Sequence, residues 1–238
     1  MDRKKEAELI AEAFATDFLK DKYGYDIFIG SQIEHILAEK AKIIYQYVED
    51  EKFFGVAITH ANGEQFIMLN TYHPLRTRYF TAAYEMWNLS SLVVLDNEFD
   101  HVRAADRFAS AIMLPKALVK DLWRKFIDLY DEESSIIHLS DFSQVPYLIM
   151  VRRVKELGFK MSSSLKNRTE LDWKNRRIEL GFPYSNLDEP VKETRFKAYE
   201  DVVNQNVEQV GLNTLIAANK LAKFSPQRAK KYQESLKE

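Results

Sequence analysis

The chain has 238 residues, 46% of them hydrophobic and 29% charged, with 34 Lys and Arg against 36 Asp and Glu. That balance fits a soluble globular protein and gives no global case for nucleic-acid or anionic-membrane binding. Cysteine is absent, which removes disulfides, thiolate zinc sites and a cysteine nucleophile together and fits a reducing cytoplasm.

The start, Met1-Asp2-Arg3-Lys4-Lys5-Glu6, runs into an amphipathic pattern with no long apolar core, so no signal peptide is expected. No apolar run approaches the ~20 residues of a membrane span. Only 7 Gly and 6 Pro punctuate the chain, which points to a mostly helical fold. Leu9, Ile10, Ala13, Phe14, Asp17 and Phe18 predict a helix over 3–20 with its apolar face along that stripe. A second helix is expected from Ser31 to Ala41, opened by a Ser31/Glu34 capping box. The period then shortens. Ile43–Val48, Phe53–Thr59 and Gln65–Leu69 read as three strands of a small antiparallel sheet, with Asn62-Gly63 as the hairpin turn.

After Tyr72-His73-Pro74 the chain turns helical: 76–91, 102–113 ending in Leu114-Pro115, 117–130, and a hairpin of 139–142 and 147–157 closed by Gly158. Residues 160–190 are irregular and polar and mark the expected boundary between a unit over 1–160 and a helical C-terminal extension over 161–238. In that extension 194–210 and 213–223 read as helices, and Pro226 opens a last one.

The stretch with chemical content is Tyr84-Glu85-Met86-Trp87-Asn88. In a zinc-protease helix of the form H-E-x-x-H, two His at i and i+4 share one face and the Glu between them is the general base. Here Glu85 keeps the base position, and Tyr84 and Asn88 stand at the ligand positions.

Four segments extend the pattern: Phe66-Ile67-Met68-Leu69-Asn70, Arg78-Tyr79-Phe80-Thr81-Ala82-Ala83-Tyr84-Glu85, Ala105-Asp106-Arg107-Phe108-Ala109 through Leu114-Pro115, and Leu139–Gly158 with Arg153. In order and spacing they resemble the ImmA/IrrE family of metallo-endopeptidases over about residues 30–160. The resemblance implies an α+β, zincin-like domain with a three-stranded antiparallel sheet packed on a helical core. In the family two His and a downstream Glu hold zinc. The corresponding positions here are Tyr84, Asn88 and Ala104, so no metal cofactor is expected. Trp87 stands where the family has a small residue, which suggests a partly filled cleft.

Three functions follow. The first is a silent pseudo-protease that acts by binding protein. The resemblance points to a helix-turn-helix repressor of a phage or other mobile element, because active relatives relieve repression by removing such repressors. The second is an active metallo-endopeptidase with a rebuilt site, drawing on Glu85, His101 and Asp106, with Asp100 nearby. The third is a DNA-binding regulator using the 139–158 hairpin, with Arg152, Arg153 and Lys155. Against the third, Tyr147, Leu148, Val151 and Val154 are too apolar for a free recognition face. Direct nucleic-acid binding and membrane contact are therefore not expected. Glu85 also has a plain reading, as a carboxylate hydrogen-bonded to Tyr84 or a neighbouring helix. Glu98 and Asp100 read as acids at the positive start of a helix. His73 reads as structural, and the cations Lys220, Lys223, Arg228, Lys230 and Lys231 as a solvated helix diluted by Glu234 and Glu238.

Overall fold

The computed structural model describes residues 2–24, 26–90, 99–165 and 167–235. Ser91, Glu98 and Glu238 lie outside the described residues.

Helix α1 (Arg3–Lys22) opens where the Asp2 carboxylate accepts from the Lys4 N–H. Its buried face is Ala7, Ala11, Ala15 and Leu19, while Leu9 and Phe14 are exposed. The expected apolar stripe is therefore corrected. Small side chains at i and i+4 let α1 lie close along α4 (His101–Met113), which itself buries Ala104, Ala105, Ala109 and Ala111. Helix α2 (Gln32–Ala38) follows Ser31, but the capping box is not formed. Glu34 is engaged elsewhere: it takes the Arg78 guanidinium at 2.7 Å and the Tyr45 hydroxyl at 3.0 Å.

The strands are β1 (Lys42–Gln46), β2 (Gly55–Thr59) and β3 (Gln65–Asn70), in the order β1-β3-β2. β2 and β3 form the expected antiparallel hairpin, with Gly63 at φ +85° in its turn. β1 pairs with β3 in parallel, Ile43 opposite Ile67, so the sheet is mixed and the antiparallel expectation is corrected. β3 takes the central place, and Ile67, Leu69 and Asn70 are buried there. Beyond β1, residue Arg195 exchanges both backbone hydrogen bonds with Tyr45, at 2.8 and 2.9 Å, and covers that edge. On the other side, the Asn70 N–H bonds the Phe54 carbonyl at 2.9 Å. The alternation of an antiparallel ladder then turns the peptide groups of Gly55, Ala57 and Thr59 away from β3, toward the open edge.

Helix α3 (Leu75–Asn88) packs on α4 and under β2. Gly55 marks the closest approach: a Cβ there would lie 2.8 Å from the Met68 carbonyl and 2.9 Å from Thr81 Cγ2. Helices α5 (Lys116–Leu129), α6 (Glu132–Ser143) and α7 (Tyr147–Glu156) follow. α6 starts well before Leu139, with Asp131 as its N-cap, and ends at Gln144 in the left-handed region. α7 is a core helix. It buries Tyr147, Met150, Val151 and Val154, and its Arg153 forks onto Glu12 of α1 at 2.6 and 2.8 Å while donating to the Leu114 carbonyl.

The stretch 160–190 holds an unexpected helix, α8 (Glu170–Glu179), opened by a reciprocal Thr169/Asp172 capping box. It buries Trp173 in the same core as α1–α7. A second, smaller core of Val203, Ala217, Leu221 and Ala229 holds together α9 (Lys197–Val210), α10 (Thr214–Leu221) and α11 (Pro226–Glu234). No helix among the described residues is long and apolar enough to cross a membrane.

Where α3 begins, Arg76 is 1% exposed. Its guanidinium donates to Asp188 at 2.7 Å, to the Ser140 carbonyl at 2.6 Å, and to Asp141. Tyr147 stacks under it and donates to the other Asp188 oxygen at 2.8 Å. Arg177 of α8 closes the network on Asp141 at 2.8 Å. Burial disfavours the Arg76 charge, and the Asp188 carboxylate with the acceptors around it more than restores it. Removing one partner of a buried charge pair strands the other. Arg76→Ala is therefore expected to destabilise the fold by about 3–5 kcal/mol, read as a lower urea midpoint with an unchanged slope. Arg76→Lys is expected to recover little, since one ammonium cannot serve this fork.

Candidate functional site

Two faces of α3 part company at Tyr84-Glu85. Trp87 and Met86 turn into the core. Trp87 is fully buried and meets Phe14, Phe99 and Phe108 with ring centroids at 6.4, 6.4 and 5.6 Å. The expectation that Trp87 fills the cleft is corrected: it packs toward α1 and α4. The opposite face of α3 presents Thr77, Phe80, Thr81, Tyr84 and Glu85 to a cavity of about 570 Å³.

The walls of that cavity come from three places. Phe53, Phe54 and Gly55 lead into β2, Pro146, Leu148 and Ile149 open α7, and Glu170 opens α8. Each wall is held by local chemistry. Asn70, fully buried at the end of β3, accepts from the Val48 N–H and donates to the Val48 and Phe53 carbonyls at 2.8 and 2.7 Å. His73 bonds the same Phe53 carbonyl at 2.8 Å and stacks on Phe54 at 4.3 Å, the structural part read for it from sequence. Pro146 leaves α7 without a side-chain cap, and Glu170 supplies one by accepting from the Tyr147 and Leu148 N–H groups at 3.2 and 2.7 Å.

Glu85 is 6% exposed. Its Oε2 accepts from the Asn88 amide at 2.9 Å. Burial pushes its carboxyl above the ordinary range, and hydrogen bonds from Asn88 and the Ala57 backbone hold it back. Glu85 thus ties the α3 helix to an outward peptide group of β2. Its partner is Asn88 and not Tyr84, which corrects the plain reading in detail. Burial, and then the charges of Glu85, Asp106 and Asp100, push the Tyr84 phenol above its usual value.

The other sequence candidates are spent on structure. Asp100 caps α4 by accepting from the Arg103 N–H at 3.0 Å. His101 is the first residue of that helix and sets its ring edge-on to Phe99 at 4.9 Å. Asp106 pairs with Arg152 of α7 at 2.9 Å. Ala104 is fully buried within the packing of α4. Among the described residues no three His, Asp or Glu side chains are grouped to hold a metal ion, so the displaced site of Glu85, His101 and Asp106 is not assembled there. The set Tyr84, Asn88 and Ala104 does not fit zinc, which takes neutral imidazole, thiolate or carboxylate. Ala104 has no donor atom, Asn88 offers an amide already bonded to Glu85, and the three nearby carboxylates oppose a Tyr84 phenolate.

Sequence reasoning missed Phe53, Phe54, Leu148, Ile149 and Glu170 as cleft residues. The Thr169-x-x-Asp172 pattern was a legible helix start that would have placed Glu170 in a first turn. The apolar walls carried no such signal. No known protein family matches this chain, and no curated protein is significantly similar to it.

A carboxyl raised by burial binds its proton more tightly folded than unfolded. Its penalty is therefore absent below the unfolded value of ~4.3 and grows as pH rises through the folded value. Glu85→Gln removes that penalty while keeping an amide that can pair with Asn88. The variant is expected to melt above the wild type at neutral pH, with the gap closing as pH falls toward about 4. Differential scanning calorimetry across that range checks it. A variant that melts below the wild type at pH 7 contradicts this reading of Glu85.

Proposed function

We propose that this chain is a catalytically silent, ImmA/IrrE-like protein that works without zinc by holding a protein segment in the cleft above α3, in the control of a helix-turn-helix repressor. The observation that carries the reading is the pairing of an open strand edge with an apolar trough. β2 offers outward peptide groups at Gly55 and Thr59, that of Ala57 being engaged by Glu85, and its Gly55 end lies on a cavity walled by Phe53, Phe54, Phe80, Leu148 and Ile149. An extended peptide added to such an edge gains main-chain hydrogen bonds, and alternate side chains drop into the trough. Leu148 is 37% exposed and Phe54 46%, so large apolar surface is available for that contact.

The state of Glu85 and of the three ligand positions supports the silent reading. Glu85 is occupied by Asn88 and the β2 backbone, and the ligand positions hold groups a metal does not take. The sequence resemblance supplies the repressor as the partner, and the cleft geometry supplies the mode of contact.

Calorimetric titration of the full chain with helix-turn-helix repressors of its host's mobile elements tests the proposal. Stoichiometric binding without cleavage is expected. Leu148→Glu, which sets a charge on the cleft wall, is expected to weaken binding at least tenfold, about 1.4 kcal/mol. Cleavage of the repressor, or affinity indifferent to the cleft variant, would reject the proposal.

A further inference from the structure

Helices α9, α10 and α11 form a closed three-helix unit with its own small core. α10 has 8 residues and α11 has 9, joined through 222–225. A short turn between two packed helices is the connection of helix-turn-helix units, in which the second helix enters the major groove. The turn is pinned rather than loose. Ser225 is 1% exposed, accepts from the Phe196 N–H at 3.0 Å and donates to the Phe224 carbonyl at 2.8 Å. Pro226 then starts α11 at its first position.

α11 is also fixed in rotation. The Tyr232 hydroxyl and the Arg228 guanidinium both reach Asn204 Oδ1 of α9, at 2.7 and 3.2 Å, and Ala229 is buried between them. That leaves Gln227, Lys230, Lys231 and Gln233 exposed, with Gln227 and Lys231 along a groove shared with Glu193 and Glu200. Lysine and glutamine are side chains that read guanine and adenine edges, and lysine also neutralises phosphate.

Charge within the unit is segregated. From Asn213 to Ser235 the ionic groups are Lys220, Lys223, Arg228, Lys230 and Lys231 against Glu234 alone. The acids lie on α9, where Glu200 is paired with Arg195 and Asp201 with Lys197, and Glu208 is exposed. Lys230 is 3.8 Å from Glu234, and Lys220 and Lys231 have no carboxylate partner among the described residues. The near-neutral charge of the whole chain hides this local excess.

We propose that the α10–α11 unit binds duplex DNA, with α11 as the groove-facing helix and Lys220 and Lys223 on flanking phosphates. The proposal is independent of the cleft and uses a different unit from the 139–158 hairpin, whose second helix is buried. Leu215 and Ile216 of α10 are 52% and 47% exposed, so a protein contact on the same unit is the competing outcome.

The test is fluorescence anisotropy of the full chain with a short, mixed-sequence labelled duplex. Binding at low salt is expected to weaken at least about tenfold between ~50 and ~200 mM salt, as two or more phosphate contacts require. Lys230→Glu with Lys231→Glu is expected to lose at least tenfold in affinity at an unchanged melting temperature. Lys20→Glu with Lys125→Glu, an equal charge change on α1 and α5, is expected to lose far less. A second pair, Gln227→Ala with Gln233→Ala, keeps the charge and is expected to weaken binding without changing the salt slope. No binding at low salt, equal loss in both charge pairs, or self-association through α10 without DNA binding would overturn the proposal.

Discussion

Everything at the cleft depends on the burial of Arg76. One guanidinium at the first turn of α3 collects acceptors from α6 and from the segment after α8, and its aromatic partner from α7. Of these, α7 supplies part of the far wall of the cavity, and Glu170, which caps α7, supplies the rest. An uncompensated guanidinium in that position is too costly to tolerate, so the network fixes where α3 stands relative to α7. A buried ion network is weak evidence for net stability, but it is a strong constraint on which packing is allowed. The cleft is therefore built on a fixed floor, and its opening is set by where Pro146 and Glu170 start α7.

The helix above that floor serves two masters. Toward α1 and α4 it presents Tyr79, Ala82, Ala83, Met86 and Trp87, which are core. Toward β2 it presents Thr81, Tyr84 and Glu85. Glu85 is the hinge between the two, a desolvated carboxylate that accepts one bond from its own helix and one from the strand above. Glu85 acts as a strut between helix and strand. Ala104 lies in the small-residue packing that lets α1 and α4 approach.

Local patterns were legible and distant ones were not. The periodicity of α3, α4 and α5, the Leu114-Pro115 corner and the Asn62-Gly63 turn declared themselves, because each depends on neighbours a few residues apart. The parallel pairing of β1 with β3 was invisible, because no local signal tells which strand takes the centre. Arg76 looked like any helical arginine, since Asp141 and Asp188 lie far along the chain. The stripe chosen for α1 was wrong for a physical reason. Large apolar side chains attract attention, while alanines at i and i+4 are what permit close helix packing. In the candidate site, Tyr84, Glu85 and Asn88 were found from one motif, but the walls made by Phe53, Leu148 and Glu170 needed the tertiary arrangement.

The central claim is that a peptidase-like cleft has been kept for binding while its metal chemistry has gone. Equilibrium dialysis of the full chain against zinc near neutral pH, followed by elemental analysis, addresses it directly. The account predicts no tightly retained ion, with the wild type and Glu85→Gln alike. One zinc retained per chain, and lost when Glu85 becomes glutamine, would contradict it.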